Sequence, residues 1–93
     1  MTTYNFGDIV LLEFPFSGAV GSKKRPALVF CNTKDGDFIV CRVSTRPFSS
    51  KYEIPVSDWR AAGLLATSYI KLHKIATLEM GLVNKKIGTF VLG

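Results

Sequence analysis

Asp35-Gly36 stands between two apolar runs, 25–32 and 38–45, and this pair constrains the fold more than any other feature of the chain. Asp-Gly between apolar runs is a strong short-range signal for a β-hairpin, because both central residues of the favoured tight turn take positive φ. With these two as the loop, Lys34 pairs with Asp37 and the register of both strands follows. Leu28 then opposes Val43, Phe30 opposes Cys41 and Asn32 opposes Ile39, on one largely apolar face that the pattern predicts as the core. The other face carries Arg25, Ala27, Val29 and Cys31 opposite Arg46, Ser44, Arg42 and Val40. It is basic and hydroxyl-bearing at one end. The register also puts Cys31 and Cys41 on opposite faces, which predicts free thiols and a reducing compartment.

The remaining chain reads as more short strands between turn signals, the pattern of a small barrel or sandwich. A first strand is predicted over Asp8–Phe14 and ended by Pro15, which cannot donate to a ladder. A loop of small residues covers 16–24, and a fourth strand covers 51–56. Ser57–Gly63 is predicted as a short helical turn, with Ser57 as N-cap and Gly63 as the stop. Strand character returns over Leu64–Leu72, continues over Ile75–Leu78 after a kink, and ends with a strand within 83–90. A length of 93 residues with 47% hydrophobic content suits one domain, to whose modest core oligomerisation would add.

Twelve Lys and Arg against seven Asp and Glu give a net charge of +5, which favours polyanionic partners through phosphate contacts and counterion release. No basic segment followed by an apolar run opens the chain, and no apolar run reaches the ~20 residues of a membrane span. The expectation is a soluble, cytoplasmic protein without a membrane partner. Two cysteines and one histidine, His73, do not make a zinc pattern, and no metal or cofactor is expected. On the hairpin, Arg25 lies opposite Arg46 and diagonal to Ser44, at roughly 7–8 Å. Two readings stay open: the arginines pair with acids such as Asp58 or Glu53, or simply point into water, or they form a phosphate site with the Ser44 hydroxyl.

Gly7-Asp8-Ile9-Val10, Phe14-Pro15-Phe16, the run Gly21-Ser22-Lys23-Lys24-Arg25-Pro26-Ala27-Leu28-Val29, then Ser68-Tyr69-Ile70 and Ile87-Gly88, give an order that resembles the MazF/PemK-like toxins of bacterial toxin–antitoxin pairs. The resemblance covers nearly the whole chain. It implies a mostly-β, SH3-like barrel of the CcdB/MazF type with one or two short helices, in a single toxin domain over 1–93 that assembles as a homodimer. It implies cleavage of single-stranded RNA without a metal, leaving a 2′,3′-cyclic phosphate and a 5′-hydroxyl, and an acidic antitoxin that blocks the site. Arg25 matches the family's Arg at the start of the second strand. The family's Thr falls on Ser44, with Thr45 beside it. Lys71 and His73 occupy the positions of a basic and an acidic residue used by one branch, and His73 has the intrinsic pKa for proton transfer. Phe16 and Phe48 are candidates to stack on bases, and Lys23, Lys24, Arg46 and Lys71 to hold substrate.

The chain departs from the pattern in three places. Ser22-Lys23-Lys24 replaces an acid sometimes found before Arg25, Ala76 replaces an Arg, and the sequence stops at Gly93 where many relatives continue into a C-terminal helix. Loss of that helix would be expected to affect dimer packing and antitoxin binding. Two rival functions share the barrel: a toxin that poisons DNA gyrase through its C-terminal tail, and a non-catalytic SH3-like binding module.

Overall fold

The computed structural model describes residues 3–13, 24–46 and 51–90. Six strands follow in chain order: β1 Asp8–Glu13, β2 Lys24–Asn32, β3 Asp37–Ser44, β4 Glu53–Val56, β5 Ser68–Glu79 and β6 Val83–Thr89. They form one antiparallel sheet in the order β4-β5-β3-β2-β1-β6. Each expected strand has a counterpart, although the one expected from Leu64 begins only at Ser68. The expected helical content reduces, among the described residues, to one 3-10 turn at Met80–Leu82.

Both faces of the central strands are buried. On one side Ile9, Leu28, Cys41, Val43 and Ile70 pack with Val56, Ala62 and Leu64. On the other, Val10, Leu12, Ala27, Val29, Phe38 and Val40 form a second cluster. Alternate residues of β1, β2 and β3 therefore feed different cores, which is why these strands read as continuous apolar runs rather than alternating ones.

The hairpin is where sequence and structure differ. Thr33 N–H donates to Asp37 O at 3.4 Å, so Lys34-Asp35-Gly36 form a three-residue loop, with Lys34 at φ 64° and Gly36 at φ 96°. The Asp35 carboxylate favours this longer loop by accepting from the Thr33 hydroxyl at 2.5 Å and the Asp37 N–H at 3.1 Å. A bulge at Phe30 adds a second displacement, so Asn32 pairs with Phe38, Cys31 with Ile39, and Leu28 with Cys41. Near the turn β2 alone changes face: Phe30, expected in the core, is 49% exposed, and Asn32 pairs with Phe38, which is fully buried on the face it shares with Val40. Asn32 and Ile39 are only partly buried. Beyond the bulge the two displacements together restore the expected faces. Cys31 and Cys41 are both free, the first exposed and the second buried.

The segment expected as a helix from Ser57 is a single capped turn. Its cap is Asp58, whose Oδ1 accepts from Ala61 N–H at 3.3 Å. Leu64 N–H reaches back to Trp59 O at 2.9 Å and Gly63 N–H to Arg60 O at 3.1 Å, the bond pair that ends a helix at a left-handed residue. Gly63 fills that position at φ 80°. This turn lies against β6: a Cβ on Gly63 would fall inside the Ile87 carbonyl, and one on Gly88 inside the Ala62 carbonyl. The edge strands β4 and β6 do not pair with each other, so the curled sheet closes here by backbone contact rather than by a ladder.

β5 carries the kink expected after Leu72. Arg42 pairs with Lys71 while its neighbour Cys41 pairs with Ile75, which leaves 72–74 outside the ladder with β3. The first part of β5 pairs with β4 as well, and this is the part that faces the candidate site.

Candidate active site

The starts of β2 and β5 and the end of β3 enclose a cleft of about 350 Å³ lined by Lys24, Arg25, Pro26, Arg42, Val43, Ser44, Thr45, Arg46 and Ser68. Arg25 enters from β2, where it pairs with Leu12 of β1. Arg42 and Ser44 come from β3, paired with Lys71 and Tyr69 of β5. Continuing the Ala27–Arg42 register by two residues sets Arg25 level with Ser44.

Three guanidinium groups share this space without a carboxylate. Glu53, one of the acids considered as a partner, is bonded to Lys71 at 2.8 Å. Asp58, the other, caps its own turn. The segments 14–23 and 47–50 contain no Asp or Glu. Among the described residues no ion pair involves Arg25, Arg42 or Arg46. The guanidinium of Arg42 is held below its ordinary pKa, first by burial and then by the charges of Arg25 and Arg46. Its Nε is buried and has no hydrogen-bond partner among the described residues. An unpaired, partly desolvated cluster of like charge is relieved by an anion, and guanidinium geometry matches a phosphate.

The hydroxyl in the cleft is prepared by the chain around it. Ser44 Oγ accepts from Arg46 N–H at 3.2 Å, which occupies a lone pair and leaves the O–H proton available as a donor. The Arg46 carbonyl accepts from Lys71 Nζ at 2.7 Å. Lys71 is held in turn by Glu53, with both side chains only 7% exposed. The Arg46 residue is thus fixed through its N–H by Ser44 and through its carbonyl by Lys71. Ser68, which closes the cleft on the β5 side, is buried and donates to Ala66 O at 2.9 Å.

The structure brings Arg25, Ser44, Thr45, Arg46 and Lys24 together around one cleft. Lys71 supports it from below without lining it. His73 lies in the β5 kink, exposed and outside the lining, with its ring 6.3 Å from that of Tyr52. Phe16, Lys23 and Phe48 lie outside the described residues. Arg42 and Ser68 are additions: Arg42 shares the strand face of Ser44 and Arg46, and that parity was the signal for it. Among the described residues no group of three or more His, Cys, Asp or Glu is placed to hold a metal ion, and no helix is long and apolar enough to cross a membrane.

Over residues 5–91 the chain matches the family described as PemK-like, MazF-like toxin of type II toxin-antitoxin system. A search among curated proteins found no match. Among solved structures it is similar to an endoribonuclease in complex with its cognate antitoxin from a mycobacterial species, with a TM-score of 0.74 and 16% identity, over 96% of this chain and 81% of that one. At that identity the likeness is one of fold.

Proposed function

Since the chain belongs to the PemK-like, MazF-like toxins of type II toxin–antitoxin systems, we propose that it is an endoribonuclease that cleaves single-stranded RNA without a metal and is neutralised by an acidic antitoxin. The observation that carries this reading is the cleft in which arginines without carboxylate partners meet a hydroxyl with a free proton. In the proposed step the ribose 2′-oxygen attacks the adjacent phosphorus and the bond to the 5′-oxygen breaks. The proton lost by the 2′-oxygen is balanced by one gained at the 5′-oxygen, giving a 2′,3′-cyclic phosphate and a 5′-hydroxyl.

Negative charge gathers on the non-bridging oxygens in this step, and donors fixed in place stabilise it without reorganising. Arg25 supplies a permanent charge and paired N–H donors. Ser44 donates its hydroxyl, with Thr45 beside it. Lys24 and Arg46 guide the backbone of the substrate. A guanidinium stays protonated and is a poor proton shuttle, so proton transfer falls to solvent or to His73, and the second option requires substrate to extend to the β5 kink. The antitoxin reading is supported by the net charge of +5. A homodimer is supported by large apolar side chains left in solvent, among them Phe6, Phe30 and Leu65.

The test is incubation with a long single-stranded RNA in EDTA, beside an Arg25→Ala control. Discrete fragments with 5′-hydroxyl ends, absent in the control, are expected. Intact RNA from folded, dimeric protein would refute the nuclease reading and turn attention to the gyrase-poison and binding-module alternatives, which a supercoiling assay separates.

A further inference from the structure

The cleft holds more positive charge than one phosphodiester can use. A single linkage carries one negative charge, while Arg25, Arg42 and Arg46 line the cleft with Lys24 at its rim. Arg25 and Ser44 lie level with each other at one position along the strands. Arg42 lies two residues deeper on β3, opposite Ala27, a step of roughly 6.5 Å. Its buried Nε–H has no acceptor among the described residues. The cleft's volume of about 350 Å³ is also more than an isolated ion fills; it lies in the ~300–1,000 Å³ range of pockets for whole small molecules.

We infer that Arg42 anchors a second phosphate, adjacent along the strand to the one held by Arg25 and Ser44, so that the cleft grips two phosphates separated by one ribose. This deepens the ribonuclease reading and rests on it for the identity of the ligand. Arg42 then fixes how the strand is threaded through the cleft, and the scissile linkage keeps its own donors. The second phosphate relieves repulsion among the three guanidinium groups.

The probes are uridine and adenosine 3′,5′-bisphosphates, whose two phosphates are spaced by one ribose, measured by titration calorimetry. The 3′- and 5′-monophosphates are the single-phosphate comparison, and the 5′-diphosphates place two phosphates without the ribose between them. Wild-type protein is expected to bind a bisphosphate at least about tenfold tighter than either monophosphate or the diphosphate, the gain of one charge-assisted contact. In Arg42→Gln that advantage is expected to vanish while monophosphate affinity stays nearly unchanged. Arg25→Ala is expected to weaken every probe. A wild-type bisphosphate advantage near unity overturns the inference without any variant, and so does an Arg42→Gln protein that weakens all probes by one common factor. Cleavage without a bisphosphate advantage sinks this inference alone. A bisphosphate advantage that depends on Arg42, without cleavage, supports the two-phosphate site and sinks the nuclease reading.

Discussion

Replacing Lys71 by Met removes one half of an ion pair whose side chains are each 7% exposed. Glu53 is left as a buried carboxylate, and the Arg46 carbonyl loses the donor that holds it at 2.7 Å. Breaking one side of a buried pair costs about 3–5 kcal/mol, because the remaining charge loses its counter-charge without gaining full solvation. A domain's total stability is roughly 0.05–0.15 kcal/mol per residue, so the loss is a large share of what this chain has. At about 4–8 °C per kcal/mol for a small domain, the melting temperature is expected to fall by about 12 °C or more. The double variant Glu53→Leu/Lys71→Met removes both charges together, and apolar replacement of a whole buried pair is often neutral or stabilising by about 1–4 kcal/mol. Thermal unfolding by circular dichroism should therefore place the double variant above the single one. Cleavage should not recover with it, since neither variant restores a donor to Arg46. Lys71→Arg, which keeps a donor, should retain more cleavage than Lys71→Met. The reasoning is refuted if Lys71→Met melts within a few degrees of wild type, or if the double variant regains full cleavage together with its stability.

Gly63→Ala is expected to be far more damaging than Gly36→Ala in urea unfolding, although both positions have positive φ. The backbone term is about 1–2 kcal/mol for either, but only at Gly63 would the new Cβ meet a carbonyl, while Gly36 faces open space; equal losses would argue against the seam. Under native conditions a thiol reagent should label Cys31 and spare Cys41, which is buried and whose pKa is raised by that burial. The unfolded chain releases the Cys41 proton first, near pH 8.5, so stability is full below that value and declines as pH rises through it toward the higher folded value; Cys41→Ala should flatten this alkaline decline. His73→Ala separates the two routes for proton transfer: if solvent suffices, cleavage stays within about tenfold of wild type, whereas a loss of about 100-fold or more marks general acid–base catalysis.

The strands and the polar face of the hairpin were legible because β-structure writes itself in alternation. Arg25, Arg42, Ser44 and Arg46 fell on one face in the sequence, and they share one cleft in the structure. That agreement survived an incorrect loop length. The three-residue turn and the Phe30 bulge each shift the register by one, and together they restore parity beyond Val29. Nearer the turn only the first shift applies, and there β2 turns its faces over: Phe30 is exposed, while β3 keeps Phe38 on the face of Val40. No local signal marks the bulge, since what it secures is tertiary: it sets Val29 level with Val40 and Leu28 level with Cys41, so that both strands feed the same two cores. The second core itself was hidden for a related reason. A strand buried on both faces shows an unbroken apolar run, and β1 does so at Ile9-Val10-Leu11-Leu12. The role of Lys71 was illegible too, because its partners Glu53 and Arg46 lie 18 and 25 residues away in the chain.

The seam at Gly63 and Gly88 has a consequence for how this protein can diverge. Contacts between side chains leave a trace in sequence families because a change at one position can be offset at the other; Glu53 and Lys71 are such a pair, replaceable together by apolar residues. At the seam, between the turn and β6, each missing Cβ makes room for the facing segment's backbone, and a backbone has no smaller form to which it can change. Neither glycine can be rescued by its neighbour. Two of the closest-approaching positions in the fold are therefore expected to show no correlated substitution at all, and a search for contacts through covariation would miss the place where the sheet closes.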